Sequence, residues 1–417
     1  MNEVTHRADV MMADVIILGG GLVGLTLAAA LASGGVTAIV VDPADPAAQA
    51  GRGHDGRATA IASASWRMLE AIGIADRLGG EDGGCAIETI RVTDGLQPGG
   101  LTFSAEGGEP LGRMFENSAI RAALRAHAEA CDDIVTLAPA TPARVERAAA
   151  GARVTLVDGR VLAAPLIVAA DGRRSPAREA AGIRVARWQY DHSAIVTTIT
   201  HAVAHGNVAY EIFYPSGPFA ILPMLPEVAG GPHRSAIVWS VDAADAAGYL
   251  GLSDRAFGHE LFKRMGGFLG ELRLVAPRVG WPLGFHHAAT ITAERLALVG
   301  DAAHGIHPIA GQGLNLGLRD VAALAEVLIE GARLGMDLSD AQLLARYERW
   351  RALDTTTIAA ATDGLTRLFG IPGRAASAVR NLGMGAIDRV APLKSLLMSE
   401  ARGSSGALPR LLEGLAV

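Results

Sequence analysis

"DVIILGGGLVGLTLAAALA", residues 14–32, decides how this chain is read. Val15–Leu18 is an apolar run of strand length, suited to a buried parallel strand. Leu22–Ala32 is apolar over a length that suits a helix. Between them Gly19, Gly21 and Gly24 fit G-x-G-x-x-G. In that pattern the first glycine permits the tight turn and the second lets a pyrophosphate approach the backbone. The third lets the helix lie close on the strand. The helix N-terminus adds unpaired N–H groups and a partial positive charge. "VTAIVVD", residues 36–42, reads as a second strand ending in Asp42. An acid about 20 residues past the glycines stands where a ribose hydroxyl needs an acceptor. A Gly-rich turn is the plainer reading. Strand, helix, second strand and terminal acid in that order point instead to dinucleotide binding.

The chain has 417 residues, too many for one ordinary core, and two or three lobes are expected. It is 50% hydrophobic and 19% charged, the composition of a folded protein. A net charge of -6 argues against nucleic acid as a partner, because phosphate binding needs a basic face. Cys85 and Cys131 have no ligand spacing, so neither a disulfide framework nor a structural zinc site is expected. His304 and His307 resemble a metal pair, but no carboxylate or third ligand stands at suitable spacing, and no metal is expected. The first residues carry no signal-peptide pattern and nothing is apolar enough to span a bilayer, so a cytoplasmic protein is expected.

Two further stretches repeat the strand-then-glycine theme. "LIVAADGRRSPAR", residues 166–178, ends its strand in Asp171-Gly172. "RLALVGDAAHGIHPIAGQGLNLGLRD", residues 295–320, ends a strand in Gly300-Asp301, and Gly311-Gln312-Gly313 then opens an apolar helix running to about Ile329. Here the sequence resembles the FAD-dependent aromatic hydroxylases, matching their GxGxxG, DG and GD motifs in order. "HDGRATAIA" (54–62), "YEIFYPSGPFAILPM" (210–224), "HPIAGQGLNLGLRD" (307–320) and "ATDGLTRLFG" (361–370) resemble the branch that serves ubiquinone biosynthesis. The likeness runs through nearly the whole chain.

The resemblance implies an α/β fold. A Rossmann-like FAD-binding domain would be formed by residues 1–80, 112–185 and 286–335. A substrate domain of antiparallel sheet, residues 81–111 and 186–285, would be inserted into it as in p-hydroxybenzoate hydroxylase. A helical region, 336–417, would close the chain. It also implies roles. Gly19, Gly21 and Gly24 would hold the FAD pyrophosphate and Asp42 the adenosine ribose. Arg57 would lie beside the flavin and its phosphates, and Arg121 would occupy a family position on the helix after Asn117, a residue that reads as its N-cap. Asp171 and Gly172 would lie near the pyrophosphate and also serve the nicotinamide cofactor, although Asp171 read alone suits a helix cap through Ser175. Asp301, after Gly300, would accept from the ribityl chain. Pro308 and the loop Gly311, Gln312, Gly313 and Asn315 would pass along the isoalloxazine ring. A second helix N-terminus near Gln312 would favour the negative charge of reduced flavin.

Between about 186 and 285, "SAIVTTIT", "VAYEIFY", "FAILPML" and "RSAIVWSV" read as antiparallel strands, with "PSGP" (215–218) as a turn. Tyr210, Phe213 and Pro223 are placed near the substrate, against the plainer reading of alternating aromatics as core. His286-His287 reads as a solvated or hydrogen-bonded pair at a strand end. Basic residues recur after 365 (Arg367, Arg374, Arg380, Arg389, Lys394, Arg402, Arg410). They suit either a membrane or partner surface or ordinary amphipathic helices.

The function these features imply is ring hydroxylation of a polyprenylphenol in ubiquinone biosynthesis, with FAD, NADPH or NADH, and O2. Other proteins of that pathway and the inner membrane face would be its neighbours. The absence of a Ser-His-Asp set or carboxylate pair agrees, because the cofactor carries the chemistry. Glu211, Tyr210 and His307 are open candidates for a base assisting the phenol. The alternatives are a hydroxylase of another phenol, an isoprenoid reductase that needs no oxygen, and a non-catalytic flavoprotein.

Overall fold

The computed structural model describes residues 6–7, 10–50, 56–97, 99–305, 312–352 and 391–417. In it the opening motif folds as the strand Val15–Leu18, a glycine turn and the helix Leu22–Ala32. That strand lies in a six-stranded sheet between Ala38–Val41 and Leu166–Ala169. Ile134–Leu137 and Leu296–Leu298 flank these, and all five run parallel. The three central strands are buried along their whole length, as a parallel sheet covered on both faces requires. Their near-continuous Val, Ile, Leu and Ala content follows from that burial. The helix Leu22–Ala32 packs against Asn117–Glu129 and the long helix Gln312–Arg333. A meander of Pro142–Ala148, Gly151–Leu156 and Val161–Ala164 contributes Val154, Leu156 and Leu162 to the same core.

A second, nine-stranded sheet forms the other lobe. Its strands include Val185–His201, Val208–Tyr214, Gly217–Met224 and His233–Asp242, with Thr89–Asp94 paired parallel to Val208–Tyr214. The turn at Pro215-Ser216 joins two of them, with Tyr214 opposite Gly217. Val185–His201 begins well before the expected segment. Its early residues are mostly exposed and mix Arg, Trp, Gln and Asp without apolar alternation, and pairing with Val279–Ala288 holds them extended.

Strand alternation gives this sheet two faces. On one, Ile212, Phe219, Ile221, Ile237 and Trp239 pack on Phe257, Leu261 and Met265 of the helix Asp254–Met265. On the other, Ala209, Ala220, Leu222, Met224 and Ala236 meet Cys85, Ile87 and Met114 of a small three-stranded sheet, together with Met398. That small sheet also contains Ala58–Ala62 and Gly112–Glu116. Towards the C-terminus, residues 341–352 and Ala391–Ala401 are helical. The stretch 361–370 and Arg367, Arg374, Arg380 and Arg389 lie outside the described residues. Among the described residues no helix is long and apolar enough to cross a membrane.

Candidate functional site

The glycine turn is built by contact. Gly19 has φ +110°, and a Cβ there would stand 2.3 Å from the Ala170 carbonyl oxygen. A Cβ on Gly24 would stand 1.9 Å from the Gly19 oxygen, so only glycine lets the helix seat this closely on the turn. At Gly21 nothing among the described residues lies within 4 Å of where a Cβ would be. Gly21 is the N-cap of Leu22–Ala32. No side chain caps that helix and no acid stands in its first turn. The leading N–H groups therefore face open space at the positive end of the helix dipole, a site for an anion. Asp42 is half-buried. Its Oδ2 accepts from the Gly20 N–H at 2.6 Å and its Oδ1 from the Ala44 N–H at 2.7 Å. The carboxylate thus fixes the turn and keeps lone pairs free for a ribose hydroxyl.

The turn Gly300-Asp301 is held from several sides. Asp320, on the long helix, accepts from the Gly300 N–H at 2.8 Å. His286 Nε2 donates to the Asp301 carbonyl at 2.8 Å, and Arg178 Nη1 donates to the Ala302 carbonyl at 2.7 Å. Tyr347, fully buried, donates its hydroxyl to the Leu298 carbonyl at 2.8 Å. Asp301 itself is exposed. Its carboxylate makes no hydrogen bond among the described residues while its backbone is pinned. Val23 joins this turn to the glycine turn, because the Cβ positions of Gly300 and Gly317 lie 3.1 and 2.9 Å from its Cγ2. The first helix, the turn at Asp301 and the long helix therefore converge on one small-residue contact.

Asp171 has one oxygen, Oδ2, accepting from the Ala177 N–H at 3.2 Å, at the start of the short helix Pro176–Ala180, whose own N-cap is Ser175. The capping reading of Asp171 therefore describes a real contact. Its Oδ1 is buried with no hydrogen-bond partner among the described residues. Burial pushes the Asp171 carboxyl above its ordinary value, against the pull of the Ser175 hydroxyl and the Ala177 N–H. Gly172 has φ +84°, and the position of a Cβ there meets nothing within 4 Å among the described residues. Arg57 is half-buried, with its guanidinium 5.6 Å from the centroid of the Trp281 ring. Arg121 is half-buried on Asn117–Glu129. Asn117 is the first residue of that helix rather than its cap, and its Oδ1 accepts from the Thr59 hydroxyl at 2.6 Å.

Asn315 is buried, and its amide is engaged by backbone. Oδ1 accepts from the Ala62 N–H at 2.9 Å and Nδ2 donates to the Ala60 carbonyl at 2.8 Å. Its side chain joins the long helix to the small sheet. Gln312 begins that helix, and the Cβ position of Gly313 meets nothing within 4 Å among the described residues. His307, Pro308 and Gly311 lie outside the described residues.

The three residues expected near the substrate fall on two faces of this sheet. Tyr210 packs on Phe268, ring centroids 4.7 Å apart, and joins the face covered by helices. Pro223, two residues beyond Ile221, shares that face by alternation. Phe213 and the buried Glu211 fall on the opposite face, with Ala220 and Leu222. His286 is buried and hydrogen-bonded rather than solvated. His304 Nε2 meets Asp320 Oδ2 at 2.6 Å. Among the described residues no group of three or more His, Cys, Asp or Glu is placed to hold a metal.

The FAD binding domain family matches residues 12–361. The chain belongs to that family. A ubiquinone hydroxylase, UbiL, of Rhodospirillum rubrum is 45% identical over 416 residues, spanning 99% of this chain and 95% of the relative. The 3-demethoxyubiquinol 3-hydroxylase of Escherichia coli is 32% identical, spanning 94% of this chain and 98% of the relative. Among solved structures, p-nitrophenol 4-monooxygenase PnpA of Pseudomonas putida superposes with a TM-score of 0.77 at 17% identity, covering 96% of this chain and all of that one. That likeness concerns the fold.

The residues present fit FAD. The open cradle at Gly21, the uncapped helix N-terminus and the exposed Asp301 carboxylate supply what a pyrophosphate and a hydroxylated chain require. Asp320, Arg178 and Tyr347, which hold the Asp301 turn, were not singled out in the sequence. Asp320 stood in view at the end of the third motif, but its partners lie 16, 20 and 31 residues away.

Proposed function

We propose that this chain is an FAD-dependent monooxygenase that uses NAD(P)H and O2 to hydroxylate the aromatic ring of a polyprenylphenol intermediate in ubiquinone biosynthesis. The observation that carries it is the 45% identity, end to end, with a ubiquinone hydroxylase. When bound, the flavin supplies electron transfer and oxygen activation. The chain supplies the rest. Gly21 and the first N–H groups of Leu22–Ala32 receive the pyrophosphate, Asp42 the ribose, and Asp301 the hydroxylated chain that leads to the flavin ring. The N-terminus of Gln312–Arg333 favours negative charge on the reduced ring. Arg57 stands by the phosphates and the flavin, and the Asp171-Gly172 turn serves the electron donor.

The substrate ring is received on the face that carries Glu211, Phe213 and Leu222. The apolar cluster of Ala209, Leu222, Met224 and Met114 keeps water from the reacting atoms. A polyprenyl tail brings the substrate from a lipid phase. The test is spectroscopic. Without oxygen, NADPH or NADH bleaches the bound flavin. With oxygen and a polyprenylphenol, product forms with label from 18O2. Product formed without oxygen would indicate a reductase instead.

A further inference from the structure

The long helix carries buried charges the proposed reaction does not use, Asp320 the deepest of them. Asp320 is 1% exposed, and its carboxylate gathers three separate parts of the chain. Oδ2 accepts from the Gly300 N–H at 2.8 Å and faces His304 Nε2 at 2.6 Å, while Oδ1 accepts from Arg351 Nε at 2.7 Å. Burial opposes charge on Asp320, but His304 and Arg351 more than offset it and hold the carboxyl below its ordinary value. An apolar pair of similar volume could fill such a space at comparable stability. An apolar side chain cannot hold Gly300. Gly300 sits at φ +58° and is followed at once by Asp301. The strand His304–Gly305 pairs with His286 and His287, and His286 in turn holds the Asp301 carbonyl. Asp320 thus holds the Gly300 N–H directly, and His286, which holds the Asp301 carbonyl, pairs with the strand whose His304 faces Asp320.

We propose that Asp320 is a positioning residue for the cofactor: it fixes the turn that presents the Asp301 carboxylate to FAD. This rests on the reading of Asp301 as a cofactor contact. The test uses three variants as apoproteins, with FAD titrated back and thermal unfolding recorded beside it. Asp301→Ala should weaken FAD binding about tenfold or more. Arg351→Met breaks the buried pair but leaves Gly300 and His304 their acceptor. It should lower apoprotein stability and keep the FAD dissociation constant within about threefold of wild type. Asp320→Leu combined with Arg351→Met restores an apolar fill and removes that acceptor. It should recover the part of the stability lost to the unpaired charge, but not the part owed to the Gly300 N–H, and weaken FAD about tenfold or more. The residual bound flavin should show an altered visible circular dichroism, because its hold has loosened. Wild-type affinity and dichroism in the double variant overturn the proposal, as does affinity that merely follows stability across Arg351→Met and the double variant. Wild-type affinity in Asp301→Ala overturns the underlying site reading, and the proposal with it.

Discussion

Gly21 and Gly24 stand three residues apart in one motif, yet substitution by alanine should fail in two different ways. At Gly24 a Cβ would stand 1.9 Å from the Gly19 carbonyl oxygen, where real contacts stay beyond 3.0 Å, and 3.2 Å from the Ala170 Cβ. The obstacle is backbone, so the helix must back away from the turn by about 1 Å. Such overpacking costs about 1–3 kcal/mol or more. The helix preference of alanine over glycine returns about 1 kcal/mol. A 1.9 Å approach to backbone belongs at the upper end of that range, so Gly24→Ala should destabilise the apoprotein by about 2 kcal/mol. At Gly21 the backbone is extended at φ −75°, and no atom of the described residues lies within 4 Å of the added Cβ. There the apoprotein should lose no more than about 1 kcal/mol, the penalty of alanine at an N-cap. The Cβ instead fills the space through which a pyrophosphate meets the helix N–H groups. Losing one charge-assisted hydrogen bond, about 1.5–3 kcal/mol, weakens FAD binding about 10- to 100-fold. Denaturant unfolding of each apoprotein and fluorescence titration with FAD separate the two effects. Gly21→Ala binding FAD like wild type, or Gly24→Ala as stable as wild type, would refute the reasoning.

Other outcomes follow from the same structure. Arg57→Ala should slow flavin reduction or raise the fraction of turnovers that yield hydrogen peroxide; unchanged stopped-flow reduction with full product yield would remove Arg57 from the site. Arg319, 3% exposed, donates to the Gly403 and Ser405 carbonyls. Arg319→Met should therefore release the C-terminal segment, at about 1.5–3 kcal/mol per lost bond, read as faster proteolysis after residue 401. Burial, and secondarily the charges of His205 and His233, hold the His201 imidazole below its ordinary value against its hydrogen bond to Val203. The unfolded chain then takes up a proton that the folded chain refuses. The contribution of His201 is thus complete above about pH 6.5 and fades as pH falls. The stability gap between wild type and His201→Gln should narrow from pH 7.5 to 5.5, and a constant gap in thermal unfolding would contradict this.

The parts of the fold that were legible in the sequence are those decided locally. Val15–Leu18 and Leu22–Ala32 stand where the glycine spacing puts them, because apolar runs and turn residues act over a few positions. The early part of Val185–His201 was not legible, since its exposed residues are extended only by pairing with Val279–Ala288. Alternation along Val208–Tyr214 reveals two faces but not which one helices will cover. The packing of Tyr210 on Phe268 is therefore not legible from the strand alone. Asn315 is expected at the flavin, and the contacts of its amide to Ala60 and Ala62, more than 250 residues away, are beyond any local pattern. The supports of Asp301 were hidden for the same reason: His286, Arg178 and Tyr347 reach its turn only after the sheets have formed.

The most direct measurement is lipid analysis. Hosts lacking their own ubiquinone hydroxylases, one gene at a time, receive this chain, and quinone and intermediates are read by mass spectrometry. Restored ubiquinone in at least one host, lost again with Gly21→Ala, is the result the account predicts, and the host restored identifies the ring carbon. Ubiquinone restored in none, by a yellow protein that NADPH bleaches, would contradict it.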